Sequence, residues 1–177
     1  WQNKFQDLKE FKKENGHSNP PTSGHKLSVF VSIQRDSYKK GKLSQERIDL
    51  LNSIGFDWDP LETDWQSNFE ELKEFTKENG HSSPHFDTQL GSWCSTQRKN
   101  FKKRILSQER IELLDSLDFD WDPFETDWQN NFSQLQKFKK EYGHASPSRY
   151  DKGFNSLGRW CRTQREKYKN GKLSQER

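Results

Sequence analysis

The stretch FDWDPLETDWQSNFEELKEFTKENGH, residues 56–81, returns at residues 119–144 as FDWDPFETDWQNNFSQLQKFKKEYGH. Self-similarity at a fixed period is the mark of a repeat architecture, and it decides the fold before any single element is read. Outward from this stretch, Trp1, Trp65 and Trp128 head three units, and the pairs Gly16-His17, Gly80-His81 and Gly143-His144 follow at one constant offset. Gln34-Arg35, Gln97-Arg98 and Gln164-Arg165 come next, then the string LSQER at 43–47, 106–110 and 173–177. The phrase FDWDP closes two units, and the period is about 63 to 67 residues. The third copy stops in mid-unit at Arg177, and the chain opens on Trp1 with no Met and no signal-like segment. These features lead to the expectation of a segment excised from a longer protein.

Each unit reads as three helices. In the first, Trp65, Phe69, Leu72 and Phe75 fall at spacings that make one helical stripe. Thr63 and Asp64 can cap its start, and Gly80 supplies the left-handed residue at its end. A Ser, Pro and His loop of variable length follows. In the second helix Leu90, Trp93, Cys94, Gln97 and Phe101 fall at i, i+3, i+4, i+7 and i+11, matched by Leu157, Trp160, Cys161, Gln164 and Tyr168 and by Leu27, Phe30, Val31, Gln34 and Tyr38. The third helix starts at the Ser of LSQER, with Glu in its first turn, and runs through Ile48, Leu51 and Ile54 to Gly55. Pro60 and Pro123 then bar helical continuation, leaving junctions of about five residues before Trp65 and Trp128. The expected fold is all-α, a tandem array of three-helix bundles with repeats at 1–62, 63–125 and 126–177.

Composition agrees with small units and excludes several classes. Leu, Ile, Val and Phe make up about a fifth of the 177 residues, too few for one large core. The seven Trp, thirteen Phe and four Tyr supply large apolar areas around which small bundles can form. Apolar runs fall well short of a membrane-spanning length, and two Cys exclude a disulfide-stapled scaffold. Nothing fixes a compartment; an intracellular site, cytoplasm or nucleus, is the expectation.

The combination of a head Trp, an L-x-x-F helix ending in Gly-His, Leu-Gly-x-Trp-x-x-x-Gln-Arg, Gly-Lys-Leu-Ser-x-Glu-Arg and a closing Gly-Phe-x-Trp-x-Pro resembles the helicase-associated domain. The resemblance covers essentially the whole chain, as two full copies and one truncated copy. It implies a small three-helix domain found in tandem, appended to helicases, with nucleic acid as the presumed ligand. Three departures stand out: Lys26-Leu27-Ser28-Val29-Phe30 in place of Leu-Gly-x-Trp, Lys103-Arg104-Ile105 in place of Lys-Gly-Lys, and Asp118 in place of the Gly before Phe119. The units therefore need not bind equally. No Gly-x-x-x-x-Gly-Lys-Ser/Thr string is present, so any motor is expected outside this stretch.

A formal net charge of +3 conceals a segregation within each unit. From Asp64 to Asn79 the first helix is acidic, net −3, whereas Arg98, Lys99, Lys102, Lys103 and Arg104 give the second helix and its exit +5. In the third unit Arg159, Arg162, Arg165, Lys167, Lys169 and Lys172 against Glu166 again make +5, and in the first Arg35, Lys39, Lys40 and Lys42 against Asp36 make +3. A basic stripe recurring at one place in three copies is the footprint of phosphate contact, DNA or RNA, and these fifteen cations are the expected nucleic-acid-binding residues. The competing reading is a protein-interaction or scaffold array in which acidic first and basic second helices dock partners. Arg98 has two open roles at the edge of the stripe, an ion pair with a first-helix acid or a phosphate contact.

The other chemistry-bearing residues read as structural. Gln97 lies inside the stripe, as an amide that satisfies buried backbone groups. Val31 at the Cys94 and Cys161 position marks core packing. The Gly-His histidines lack further ligands at metal spacing and suit helix-terminal hydrogen bonds. Asp57, Asp59, Asp120 and Asp122 read as turn and capping acids around Trp58 and Trp121, which pack at the junction. No nucleophile, base and orienter arrangement can be assembled. The expectation is a non-catalytic module with no cofactor, metal, membrane or small-molecule substrate.

Overall fold

The computed structural model describes residues 1–21, 23–148, 153–174 and 177. Eight helices follow in order: α1 (Gln2–Asn15), α2 (Ser28–Lys39), α3 (Gln45–Ser53), α4 (Pro60–Asn79), α5 (Gln89–Lys102), α6 (Gln108–Asp115), α7 (Pro123–Tyr142) and α8 (Asn155–Lys169). No strand occurs among the described residues. No helix there is long and apolar enough to cross a membrane. The chain divides into two compact units, Trp1–Glu74 and Phe75–Arg177, and the division falls inside α4.

In the first unit the stripes of α1, α2 and α3 close one core of Phe5, Leu8, Leu27, Val31, Leu51, Ile54 and Phe56. Leu8, Leu27 and Leu51 have no exposed surface. Trp1 stacks on Phe5 with ring centroids 5.2 Å apart, and its Nε1–H donates to Gln34 Oε1 at 2.9 Å. The Gln34 amide donates in turn to the Phe30 carbonyl, so the one polar side chain in the stripe is satisfied inside the core. The same positions are buried along α4, α5 and α6: Trp65, Phe69, Leu72, Leu90, Cys94, Leu114 and Phe119. In the second unit α7 and α8 bury Phe138, Leu157 and Cys161, with Leu135, Phe154 and Trp160 against them. There Trp128 Nε1 and Gln164 Oε1, the counterparts of the Trp1 and Gln34 pair, lie buried with no hydrogen-bond partner among the described residues.

The helix ends obey the Gly-His reading. Gly16, Gly80 and Gly143 have φ of 79°, 72° and 78°, and each N–H donates to a carbonyl four residues back. His17, His81 and His144 each accept, through Nδ1, the N–H two residues on, and each sits edge-on to a Phe of the preceding helix: Phe11, Phe75 and Phe138.

The helix starts correct the expectation for Pro60 and Pro123. Neither Pro closes a helix. Each opens the next one, so Thr63 and Asp64 lie inside α4 and the five-residue junctions are helical. Asp122 is the N-cap of α7, its carboxylate accepting from Glu125 N–H at 3.3 Å, and Asp59 accepts from Glu62 N–H at 3.3 Å. Pro at the first helical position has no N–H to leave unsatisfied and a preset φ, and Asp before it caps. α4 and α7 thus run unbroken through positions 62/63 and 125/126.

Two departures from the glycine pattern keep the glycine backbone. Arg104 has φ 58° where the first unit has Gly41 at 64°, and Asp118 has φ 51° where it has Gly55 at 57°. The left-handed region costs an L residue roughly 1–2 kcal/mol. Arg104→Gly is accordingly expected to stabilise the chain by about 1 kcal/mol in urea denaturation. A net loss would show that the side chain contributes more than its backbone costs.

Candidate nucleic-acid interface

The basic helices α2, α5 and α8 are held in place by residues that are themselves part of the basic set. Arg35 Nε donates to the Asp57 carbonyl at 2.9 Å and Arg98 Nε to the Asp120 carbonyl at 2.7 Å. Each guanidinium also lies over the Phe of the same FDWDP phrase, 5.3 Å from the centroid of Phe56 and 4.8 Å from that of Phe119. Among the described residues neither arginine pairs with a first-helix acid: each staples the second helix to the segment leaving the third. Burial pulls both guanidinium pKa values below the ordinary value, opposed at Arg35 by Asp57 and Asp59 and at Arg98 by Cys94, Asp120 and Asp122. In the third repeat Arg165 is exposed and donates instead to the Ala145 carbonyl at 3.1 Å and to Ser146 Oγ at 3.2 Å.

A buried hydroxyl completes the staple. Ser18 Oγ donates to the Gly55 carbonyl and accepts from Asp57 N–H; Ser82 Oγ donates to the Asp118 carbonyl and accepts from Asp120 N–H. Sequence reasoning misses both serines, although the signal, a Ser directly after each of the first two Gly-His pairs, is present; the third pair is followed by Ala145. It also misses the LSQER arginine as an aromatic partner. Arg47 lies 5.1 Å over the Trp1 ring, and Arg177 lies 4.9 Å over the Trp128 ring while pairing with Glu125.

With Arg35 and Arg98 turned inward, the exposed cations of the basic set are Lys39, Lys40 and Lys42 at the end of α2, Lys99, Lys102, Lys103 and Arg104 at the end of α5, and Arg159, Arg162, Arg165, Lys167, Lys169 and Lys172 along and after α8. Lys99, Lys102 and Lys103 share one helical face, as do Arg159, Arg162 and Lys169. Several have acidic neighbours: Lys39 with Asp59 at 3.7 Å, Lys40 with Asp36 at 2.8 Å, Lys102 with Asp122 at 3.3 Å and Arg162 with Glu166 at 2.9 Å. Such exposed pairs hold their side chains only weakly. The Asp122 carboxyl is held below the usual carboxylate range, first by the Glu125 N–H and then by Lys102.

The junction aromatics pack as expected. Trp58 stacks on Tyr38 and Trp121 on Phe101, both with centroids 4.2 Å apart, and their Nε1–H groups donate to Asn52 and Asp115. The acids of FDWDP serve the turn: Asp57 accepts from Asp59 N–H and Asp120 from Asp122 N–H. Cys94 and Cys161 are buried in the core, where burial raises the Cys161 thiol pKa. Among the described residues no group of three or more His, Cys, Asp or Glu side chains could hold a metal ion.

No curated protein and no solved structure matches the chain. The family model for the helicase associated domain matches three times, at residues 1–59, 62–122 and 125–177. With matches across the whole length, the chain belongs to the helicase-associated domain family, as three tandem copies.

Proposed function

We propose that this accessory module is a non-catalytic nucleic-acid binder, whose repeats at 1–62, 63–125 and 126–177 contact the phosphate backbone through their basic second helices on behalf of a larger protein. The observation that carries the reading is the recurrence of exposed cations at one place in the repeat, beside arginines whose hydrogen bonds fix that helix in position. Phosphate contacts release condensed counterions, so several weak sites on one chain add affinity steeply at low salt. No base-reading helix is assigned, because the α3 and α6 helices carry Gln, Glu and Asp with few cations.

Fluorescence anisotropy of labelled duplex DNA, single-stranded DNA and RNA across a salt series tests this. Charge reversal at Lys99, Lys102, Arg162 and Lys169 leaves the Arg98 staple intact. Binding that weakens with salt is expected, and the four reversals should flatten the log–log salt slope by roughly 0.7 to 0.9 for every phosphate they leave unneutralised. An unchanged slope, or no binding at low salt, would overturn the reading and turn attention to a protein partner.

A further inference from the structure

The second repeat carries a groove of about 470 Å³, within the roughly 300–1,000 Å³ span of ligand pockets. Its walls combine Phe86, Trp121 and Phe124 with the cations Arg98, Lys99 and Lys102. Phe86 is 77% exposed and Phe124 is 86% exposed. Large rings left in water on the rim of a basic groove are not explained by core packing.

The repeats provide their own control. In the first, Asn19 closes the corresponding arginine: its Oδ1 accepts from Arg35 Nη2 at 2.5 Å and its Nδ2 donates to Asp57 at 3.0 Å. In the second repeat Ser83 stands two residues after the Gly-His histidine, where the first has Asn19, and Ser83 lines the groove. Ser83 makes no such bond, whereas Ser146 at the same place in the third repeat accepts from Arg165 Nη2 at 3.2 Å. Arg98 Nη2 is buried with no hydrogen-bond partner among the described residues, a costly state for a charged donor. Leu61 occupies the place of Phe124 in the first repeat, so both the orphaned donor and the extra ring belong to the second.

We infer that this groove takes one unstacked nucleobase of a single-stranded nucleic acid, with the adjoining phosphate on Arg98, Lys99 and Lys102. The inference rests on the backbone-contact function proposed above and adds strandedness to it. Aromatic rings accept any base on its π-face, and a cationic track beside them holds the strand. A duplex keeps its bases stacked and offers none to the groove. Lys103 and Arg104, exposed after the end of α5, extend the positive charge for the next phosphate.

The test uses the whole chain with a fluorescein-labelled oligothymidylate and a labelled hairpin duplex. Ser83→Asn, which supplies the first repeat's amide without removing a cation, and Phe86→Ala and Phe124→Leu, both at exposed positions, should each weaken oligothymidylate binding about tenfold and leave the duplex unaffected. Thermal melts at or above the parent's midpoint confirm that the fold is kept. Equal effects on both probes, or oligothymidylate affinity within about twofold of the parent in all three variants, would overturn the groove while leaving backbone contact standing. If the parent binds neither probe at low salt, the function itself falls, and the groove with it. If an acidic aromatic peptide is what the three substitutions weaken, the occupant is a protein and the assignment is wrong.

Discussion

Gly91→Ala is expected to destabilise the Phe75–Arg177 unit by about 3 kcal/mol, the upper end of what overpacking costs. Gly91 is buried in the first turn of α5, where the loop from His85 crosses the helix. A Cβ built there meets the His85 carbonyl oxygen at 1.9 Å, the His85 carbonyl carbon at 2.7 Å and Phe86 Cα at 3.0 Å. All three are backbone atoms, so no rotamer change relieves the clash; the loop has to move. That loop is fastened: the His85 carbonyl accepts both Thr88 N–H and Thr88 Oγ1–H, and Thr88 caps α5 through Gly91 N–H. The first repeat carries a Cβ at this place. There Ser28 holds the corresponding place and donates its hydroxyl to the His25 carbonyl at 2.7 Å. Urea denaturation of the Ala variant should show a lowered midpoint, and the same variant should lose the groove, which His85 and Phe86 line. A change within about 0.5 kcal/mol, the range of ordinary surface substitutions, would show that the loop shifts without cost.

The three-copy periodicity makes the core legible from sequence because a position that is Leu, Leu and Leu, or Val, Cys and Cys, reports its environment three times. Leu27, Leu90 and Leu157 are all buried, and so are Val31, Cys94 and Cys161. The structural amide of Gln34 is legible for the same reason, since a polar residue fixed inside an apolar stripe has to be satisfied. Three things are not. Pro60 and Pro123 read as terminators because Pro is incompatible with a helix interior, yet the same lack of N–H suits the first helical position, and the preceding Asp decides between the two. The roles of Arg35 and Arg98 are hidden because their partners are main-chain carbonyls 22 residues away in an irregular segment, and a carbonyl leaves no trace in residue identity. The groove of the second repeat is hidden because it arises from what Ser83 fails to fill. The family pattern marks none of these differences among repeats.

Arg35→Met is expected to cost about 3 kcal/mol, and more than Arg98→Met, although the two arginines occupy the same place in their repeats. Methionine keeps much of the aliphatic stem, so the comparison isolates the guanidinium. Loss of Nε leaves the Asp57 or Asp120 carbonyl without its side-chain donor, and a bond from a charged donor is worth roughly 1.5–3 kcal/mol. Loss of the cation over Phe56 or Phe119 removes on the order of 0.5–2 kcal/mol more. These two contributions are common to both sites. The difference lies at Nη2. In the first repeat it has Asn19, so its removal also breaks the bridge from Arg35 through Asn19 to Asp57. In the second it has no partner among the described residues, so its removal relieves a buried unsatisfied donor of about 1–3 kcal/mol and offsets part of the loss. Denaturation of both variants measures the two costs directly. Equal costs would mean that water or a groove side chain already satisfies Arg98 Nη2, which would also withdraw the orphaned donor from the argument for a ligand there. A smaller cost at Arg98, together with a gain in stability for Ser83→Asn, would tie the energetics of the staple to the opening of the groove: the second repeat would then be shown to forgo stability at the one place where its cations and exposed rings converge.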